Sequence, residues 1–374
     1  MDVEARQVRF FRLAGQGLAG PAAEPAAALA GWAVQDSPPG AAAAALVARQ
    51  PRVSPGWLGA ALEGRSAVAL YNARTATAVV PAGEVAAFAT SLLPQDDAGL
   101  RAVAGPALPG RREGFTEPVA LAVEAVSDAL DGAVLSRDDL HEALRRRLPS
   151  ELLPWCPGCE SHHARRGLLV MAALNGRLCI AGRAGRQPAF ARTDQWVAWA
   201  PPARAEAGAE LVRRYLSAYG PSTPGHLAEW AGLGPAHGRE LWGLVEEELA
   251  EVQVDGRSRA WLLARDLPLM RNPPPARGVR LLAPGDPLLL GRDRESLLDD
   301  QALRKEVWRA IGGAGLVLCN GDAVALWRAR KEGRRLAFAV EAFGPAPPRE
   351  AVQRAAERLA PHRGCRQVVV DWSG

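Results

Sequence analysis

At 374 residues, 48% apolar and 23% charged, the chain is expected to form two or three domains with sizeable cores, as an ordinary globular protein does. The net charge is +4 and Lys occurs only at Lys305 and Lys331; nearly all positive charge is therefore Arg, a balance that permits a nucleic-acid partner without demanding one. Met1-Asp2-Val3-Glu4-Ala5-Arg6 is not a signal peptide, and no run reaches the length of a membrane span. Five Cys, two of them in one CxxC, do not make a secreted disulfide framework, so a reduced, cytoplasmic protein is expected.

Val8 to Leu13 opens a first helix that ends between Gly15 and Gly20, and Pro25 to Ala33 reads as a second. Trp32-Ala33-Val34-Gln35-Asp36-Ser37-Pro38-Pro39 is a polar turn that enters an Ala-rich helix over 40–50. A further helical turn spans Leu58 to Leu62, and 67–71 and 75–80 read as a strand pair around Asn72-Ala73-Arg74. Helices followed by a hairpin suggest a winged helix-turn-helix. The pattern recurs with helices over 118–130, 138–147 and 165–174 and strands over 177–180 and 189–192. It recurs again with helices over 210–219, 226–231 and 235–249 and strands over 251–254 and 260–263, around the hairpin signal Asp255-Gly256. Arg271-Asn272-Pro273-Pro274-Pro275 reads as a stiff linker. Beyond it, strands over 279–282, 315–319, 323–327, 335–340 and 367–370, with a helix over 349–359, suggest a small barrel or sandwich. The expected class is α+β: winged helices over 1–100, 101–202 and 203–270, then a β-barrel-like domain over 277–374.

Four stretches carry candidate chemistry. In the turn, Gln35, Asp36 and Ser37 set an amide, a carboxylate and a hydroxyl side by side; the alternative is that Asp36 or Ser37 only caps the helix that follows. Arg292 and Arg294 alternate around Asp293 in a loop suited either to phosphate clamping or to surface ion pairing. Arg328, Arg330, Lys331 and Arg334 crowd a hairpin tip suited to phosphate contact or to plain solvation. Cys156-Pro157-Gly158-Cys159-Glu160-Ser161-His162-His163 has zinc-ligand residue types, but all four ligands fall within eight residues, closer than the usual pairs. Zinc and a metal-free loop both stay open there. With no Lys before Lys305, imine chemistry in the first three units is not expected.

Taken together, Gln35-Asp36-Ser37-Pro38-Pro39, Leu211 to Leu216 with Tyr219-Gly220-Pro221, Asp286 to Arg292, and Trp327-Arg328-Ala329-Arg330 carry a resemblance. The chain resembles the bacterial winged-helix DNA-binding family that contains the interstrand-crosslink-unhooking and alkylpurine DNA glycosylases. The resemblance implies three winged helices and a C-terminal β-barrel in a C shape around double-stranded DNA. It also implies Gln-hydrophobic-Gln or Gln-hydrophobic-Asp as the catalytic tripeptide. That tripeptide is Ala33-Val34-Gln35 in this chain, so Gln35 is kept and Ala33 replaces its partner. Gln35 and Asp36 are the catalytic candidates; Ser37, Arg74, Arg292, Arg294, Arg328, Arg330, Lys331 and Arg334 are the DNA-binding ones. The implied enzyme is a cofactor-free, monomeric and monofunctional glycosylase for alkylated or crosslinked DNA. A non-catalytic DNA-binding regulator or damage sensor, and an interaction scaffold, are the other readings; the acidic run Glu246-Glu247-Glu248, expected on a helix, favours the last.

Overall fold

The computed structural model describes residues 1–20, 33–256 and 258–373. Most of the helix expected over 25–33 lies outside the described residues. The described chain forms two compact units, one of residues 1–58, 213–226 and 247–374, the other of residues 59–212 and 227–246. No helix among the described residues is long and apolar enough to cross a membrane.

In the first unit, the helix Ala5–Gly15 buries two faces, as apolar residues at three-residue spacing require. Val8 and Phe11 pack with Val3, Val252, Leu262 and Met270. Phe10 and Leu13 join a larger core with Leu282, Leu316, Leu318 and Leu326. The helix is pinned at its start: the strand Asp2–Val3 runs parallel to Gln253–Val254, and Ala5 N donates to Asp255 Oδ1 at 2.9 Å. Asp255 and Gly256 both have positive φ (51° and 66°), the left-handed backbone that tight hairpin loops use. They turn the antiparallel strands Leu249–Val254 and Ser258–Leu263. Glu246–Glu248 lie past the helix Pro235–Gly243, which is shorter than expected. Glu248 there receives three hydrogen bonds from Arg213, at 2.7 to 3.1 Å, so the acidic run is partly neutralised.

The C-terminal strands Val279–Leu282, Gly315–Cys319, Asp322–Glu332 and Arg335–Ala342 form an antiparallel meander, and Gln367–Ser373 pairs parallel to the fourth. The expected barrel is thereby corrected. The sheet is open, with the first and last strands at its two edges and no pairing between them among the described residues. The reason is the return of the chain through the helix Arg349–Leu359, which carries the fifth strand back in parallel and packs against both edge strands. Gly315 lies opposite Trp327. A Cβ there would come within 2.4 Å of the indole, whose Nε1 donates to Leu282 O at 3.0 Å.

The Ala-rich helix Ala41–Arg49 buries every residue but Ala43 and lies against the first strand of this sheet. Its small side chains permit that close approach. Its last residue, Arg49, is 3% exposed and faces Asp286, which is fully buried. The pair is two-pronged, with Nη1 to Oδ2 at 2.8 Å and Nη2 to Oδ1 at 3.0 Å. Arg49 also donates to Ala45 O and Gln16 Oε1, and Asp286 Oδ1 accepts from Leu288 N at 2.9 Å.

The second unit is organised around the helix Arg166–Leu174, buried from Gly167 to Leu174. Thr116–Ala129, Asp97–Ala104 and Val85–Leu92 pack on it. The last two helices have no counterpart in the sequence reading. The hairpins Ala67–Tyr71/Thr77–Pro81 and Cys179–Ala184/Gln187–Ala191 are where the pattern placed them, and they meet through Ala69 and Ile180 in one sheet.

Asp286→Ala should cost about 3–5 kcal/mol of stability in urea unfolding, because it leaves the Arg49 guanidinium buried without its counter-charge. The double variant Arg49→Met/Asp286→Leu should recover most of that loss.

Candidate functional site

The turn before the Ala-rich helix is braced from both ends. Val34 is buried while Ala33 and Gln35 are half-buried on either side of it, as the alternation of an extended segment dictates. Gln35 Nε2 donates to Ser37 O at 2.7 Å, which fixes the plane of the amide. Asp36 Oδ1 accepts from Gly40 N at 2.8 Å and Ala42 N at 3.0 Å, so the capping role is filled by this carboxylate oxygen. The Ser37–Pro38 peptide is cis, and Gly40 closes the turn at φ 87°.

Beneath the turn runs the loop that carries Asp286. Gly285 has φ 84°, and a Cβ on it would lie 2.8 Å from Ser37 O and 3.4 Å from Gln35 Nε2. The loop thus touches Gln35 and Ser37 through a residue with no side chain, one position before the anchor of Arg49. Sequence reasoning passed over Arg49. A cation at a helix C-terminus reads as a partner for the helix dipole, and only the motif position of Asp286 hinted at a counterpart.

Arg292 and Arg294 line a cleft of about 640 Å³ with His226, Arg304, Lys305 and Trp308. The Arg294 guanidinium sits over the Trp308 ring at 5.0 Å. Asp293 and Glu295 line the same cleft, and Asp293 forms an ion pair with Arg12 at 3.0 Å. Burial pushes the Asp293 carboxyl up, but the charge and hydrogen bond of Arg12 outweigh burial and hold it below the ordinary carboxylate value. Arg12 is itself buried and also donates to Gly220 O, Pro221 O and Ser296 Oγ. Arg304 pairs with Glu295 at 3.3 Å, whereas Lys305 is exposed and has no acidic partner among the described residues.

The basic hairpin carries less net charge than its composition suggests. Arg328 pairs with Glu306, and Arg330 and Arg335 pair with Glu332. Lys331 Nζ donates to Arg363 O at 3.0 Å. Arg334 is exposed and unpaired among the described residues. In the second unit, Arg74 lies in the turn after Tyr71, its stem against Gly232.

The metal-type residues separate. Cys156, Cys159 and His163 bring their ligand atoms within 4.8 Å of one another. His162 turns away, with Nδ1 2.8 Å from Leu153 O and its ring edge-on to Trp155.

The profile of the AlkZ-like DNA glycosylase family matches residues 27–362, and the chain belongs to that family. An interstrand DNA cross-link repair glycosylase from Streptomyces sahachiroi is 31% identical over 220 residues, which cover 54% of this chain and 56% of that protein. The match thus spans little more than half the length of that curated relative. The solved structure of the Streptomyces sahachiroi DNA glycosylase AlkZ has the same fold, with a TM-score of 0.77, 23% identity and full coverage of both chains.

Gly285→Ala should lower the thermal midpoint, since it combines about 1 kcal/mol or more of left-handed backbone strain with a clash against Ser37. Because Asp293 titrates below its unfolded value, its pairing with Arg12 stabilises the fold above about pH 4. That contribution disappears as the pH falls further, and Asp293→Asn should flatten this acid limb of the stability profile.

Proposed function

We propose that the protein is a monofunctional DNA glycosylase that removes cationic alkylpurine or crosslink adducts from double-stranded DNA, with Gln35 as the principal catalytic residue. The observation that carries this reading is the construction of the Gln35 turn. Its amide is oriented by Ser37 O, it is held over Gly285, and it belongs to a chain of the AlkZ-like DNA glycosylase family. The printed activity of the Streptomyces relative favours crosslinked DNA as substrate.

A purine alkylated at N7 or N3 is cationic and already a good leaving group, so little acid catalysis is required. What the site must supply is stabilisation of positive charge on the sugar and a placed water near C1′. With Nε2 committed to Ser37, Oε1 is the accepting atom of Gln35; it can position the water and offer negative partial charge. Asp36 uses Oδ1 on the helix N-terminus, and its other oxygen is the base candidate for that water. No Lys precedes Lys305, which agrees with hydrolysis without lyase chemistry. DNA contacts fall to Ser37, Arg74, Arg292, Arg294, Arg328, Arg330, Lys331 and Arg334. The pairing described above makes Arg334 the strongest of these. We read the chain as a cytoplasmic monomer, with winged helices over 1–100, 101–202 and 203–270 and the open-sheet domain over 277–374.

Ala33 favours a second reading. It stands where the characterised relatives of the resembled family carry a second amide, so a DNA-binding regulator or damage sensor without catalysis is the competing function.

Release of base from duplexes carrying N7-methylguanine or a nitrogen-mustard crosslink distinguishes the two, with abasic sites read by alkaline cleavage. Wild type should release base, and Gln35→Ala should reduce release by about 10²–10³-fold with DNA affinity nearly unchanged. Asp36→Asn should keep the helix cap and lower release only if the second oxygen activates water. DNA binding without release from either substrate would favour the sensor. DNA affinity should fall steeply as salt rises, and Arg334→Ala should reduce that slope by about one.

A further inference from the structure

The hairpin that carries Cys156 and Cys159 has the construction of a metal knuckle. Trp155–Cys156 pairs antiparallel with Ser161–His162, Trp155 opposite His162 and Cys156 opposite Ser161. The connecting loop is tight: Cys159 N donates to Cys156 O at 3.2 Å, and Glu160 adopts φ 48°, which turns the chain back. Both thiols therefore face the same side of one short loop, and neither is in a disulfide. Close sequence spacing does not count against such a site, because the hairpin folds its return strand alongside the first. Successive residues of that strand point to opposite sides. His162 goes to Leu153 O and Trp155, and His163 goes to the thiols.

His163 is set up as a ligand. Its Nδ1 lies 2.9 Å from Ala164 O, an acceptor that requires the proton on Nδ1 and leaves a lone pair on Nε2. Nε2 is buried and has no hydrogen-bond partner, in a residue only 9% exposed. A buried polar atom without a partner is costly, and a carbonyl that accepts from the other ring nitrogen is how metal-bound histidines are oriented. The His141 ring stacks flat on His163 at 4.4 Å and 9°. It fixes the plane of His163 and, being parallel to it, cannot aim a lone pair at the same point.

We propose that Cys156 Sγ, Cys159 Sγ and His163 Nε2 form a zinc site that holds the 155–164 hairpin against the helices Arg137–Arg145 and Arg166–Leu174, with solvent at the fourth position. The present separation, up to 4.8 Å, exceeds the roughly 3.5–4 Å between ligands of a tetrahedral zinc with Zn–S near 2.3 Å and Zn–N near 2.0 Å. Soft thiolates with one imidazole select zinc over magnesium or calcium. The site is independent of base release and lies far along the chain from Gln35. It restrains the entry to the buried helix 166–174, whose first residues Arg165 and Arg166 reach Trp155 O and Thr75 O.

The test is metal content and Co²⁺ spectroscopy on the full chain, purified under reducing conditions without chelator. Wild type should carry one zinc per chain. Its cobalt-substituted form should show thiolate-to-cobalt charge transfer and the intense visible bands of tetrahedral coordination. Cys156→Ser and His163→Ala should each lose the zinc and the spectrum, and His162→Ala should keep both. If the first two variants fail to fold, wild type alone decides. Alkylation of Cys156 and Cys159 should be roughly tenfold or more slower before chelation than after it. A protein that comes off the column without zinc and does not take up Co²⁺, one that retains its zinc in Cys156→Ser, or one whose alkylation rate ignores chelator would overturn the assignment.

Discussion

The pair Arg49–Asp286 is the constraint on which the Gln35 turn depends. Two fully desolvated charges stabilise a fold only when their geometry is good and their remaining valences are met. Here both oxygens of Asp286 take a guanidinium nitrogen, and the spare donors of Arg49 find Ala45 and Gln16. The pair ties the end of the Ala-rich helix to the loop whose Gly285 underlies the start of that helix. The helix is thus held at both ends by one loop, and the turn before it has little freedom to drift. For the catalytic role proposed for Gln35, this rigidity matters more than strong acid or base groups.

Around that anchor the charges divide into structural and available ones. Arg12, Arg49, Arg213, Arg304, Arg328 and Arg330 all hold carboxylates. An Arg-rich composition therefore overstates the cation supply for a polyanion. Lys305, in a cleft whose lining also includes Asp293 and Glu295, and Arg334 at the hairpin tip are exposed cations with no acidic partner among the described residues.

Local features were legible in the sequence. Asp255-Gly256 and Asn320-Gly321 turn hairpins because each pair supplies two residues of positive φ, and the Ala run enters its helix behind the two prolines as expected. The helices Val85–Leu92 and Asp97–Ala104 were not legible: each is only eight residues long, too short for its apolar period to stand out. Long-range facts were hidden for another reason. The partners of Arg49 and Arg12 lie more than 200 positions away, and nothing local in either helix names them. Whether His162 or His163 faces the thiols depends on hairpin register, which a string of eight residues leaves open. The open edge of the C-terminal sheet follows from a parallel last strand, whereas strand spacing alone suggested closure.

The first strand has a consequence for biogenesis. Asp2–Val3 finds its neighbour at Gln253–Val254, and Ala5 bonds a carboxylate 250 residues downstream. During synthesis this segment must wait for those residues, about 250 positions on, before it can be placed. The second unit lies almost wholly between these two points and can form first. The unit that holds the Gln35 turn is built from segments on either side of the second unit, so a chain cut before Asp286 would lack the anchor for that turn.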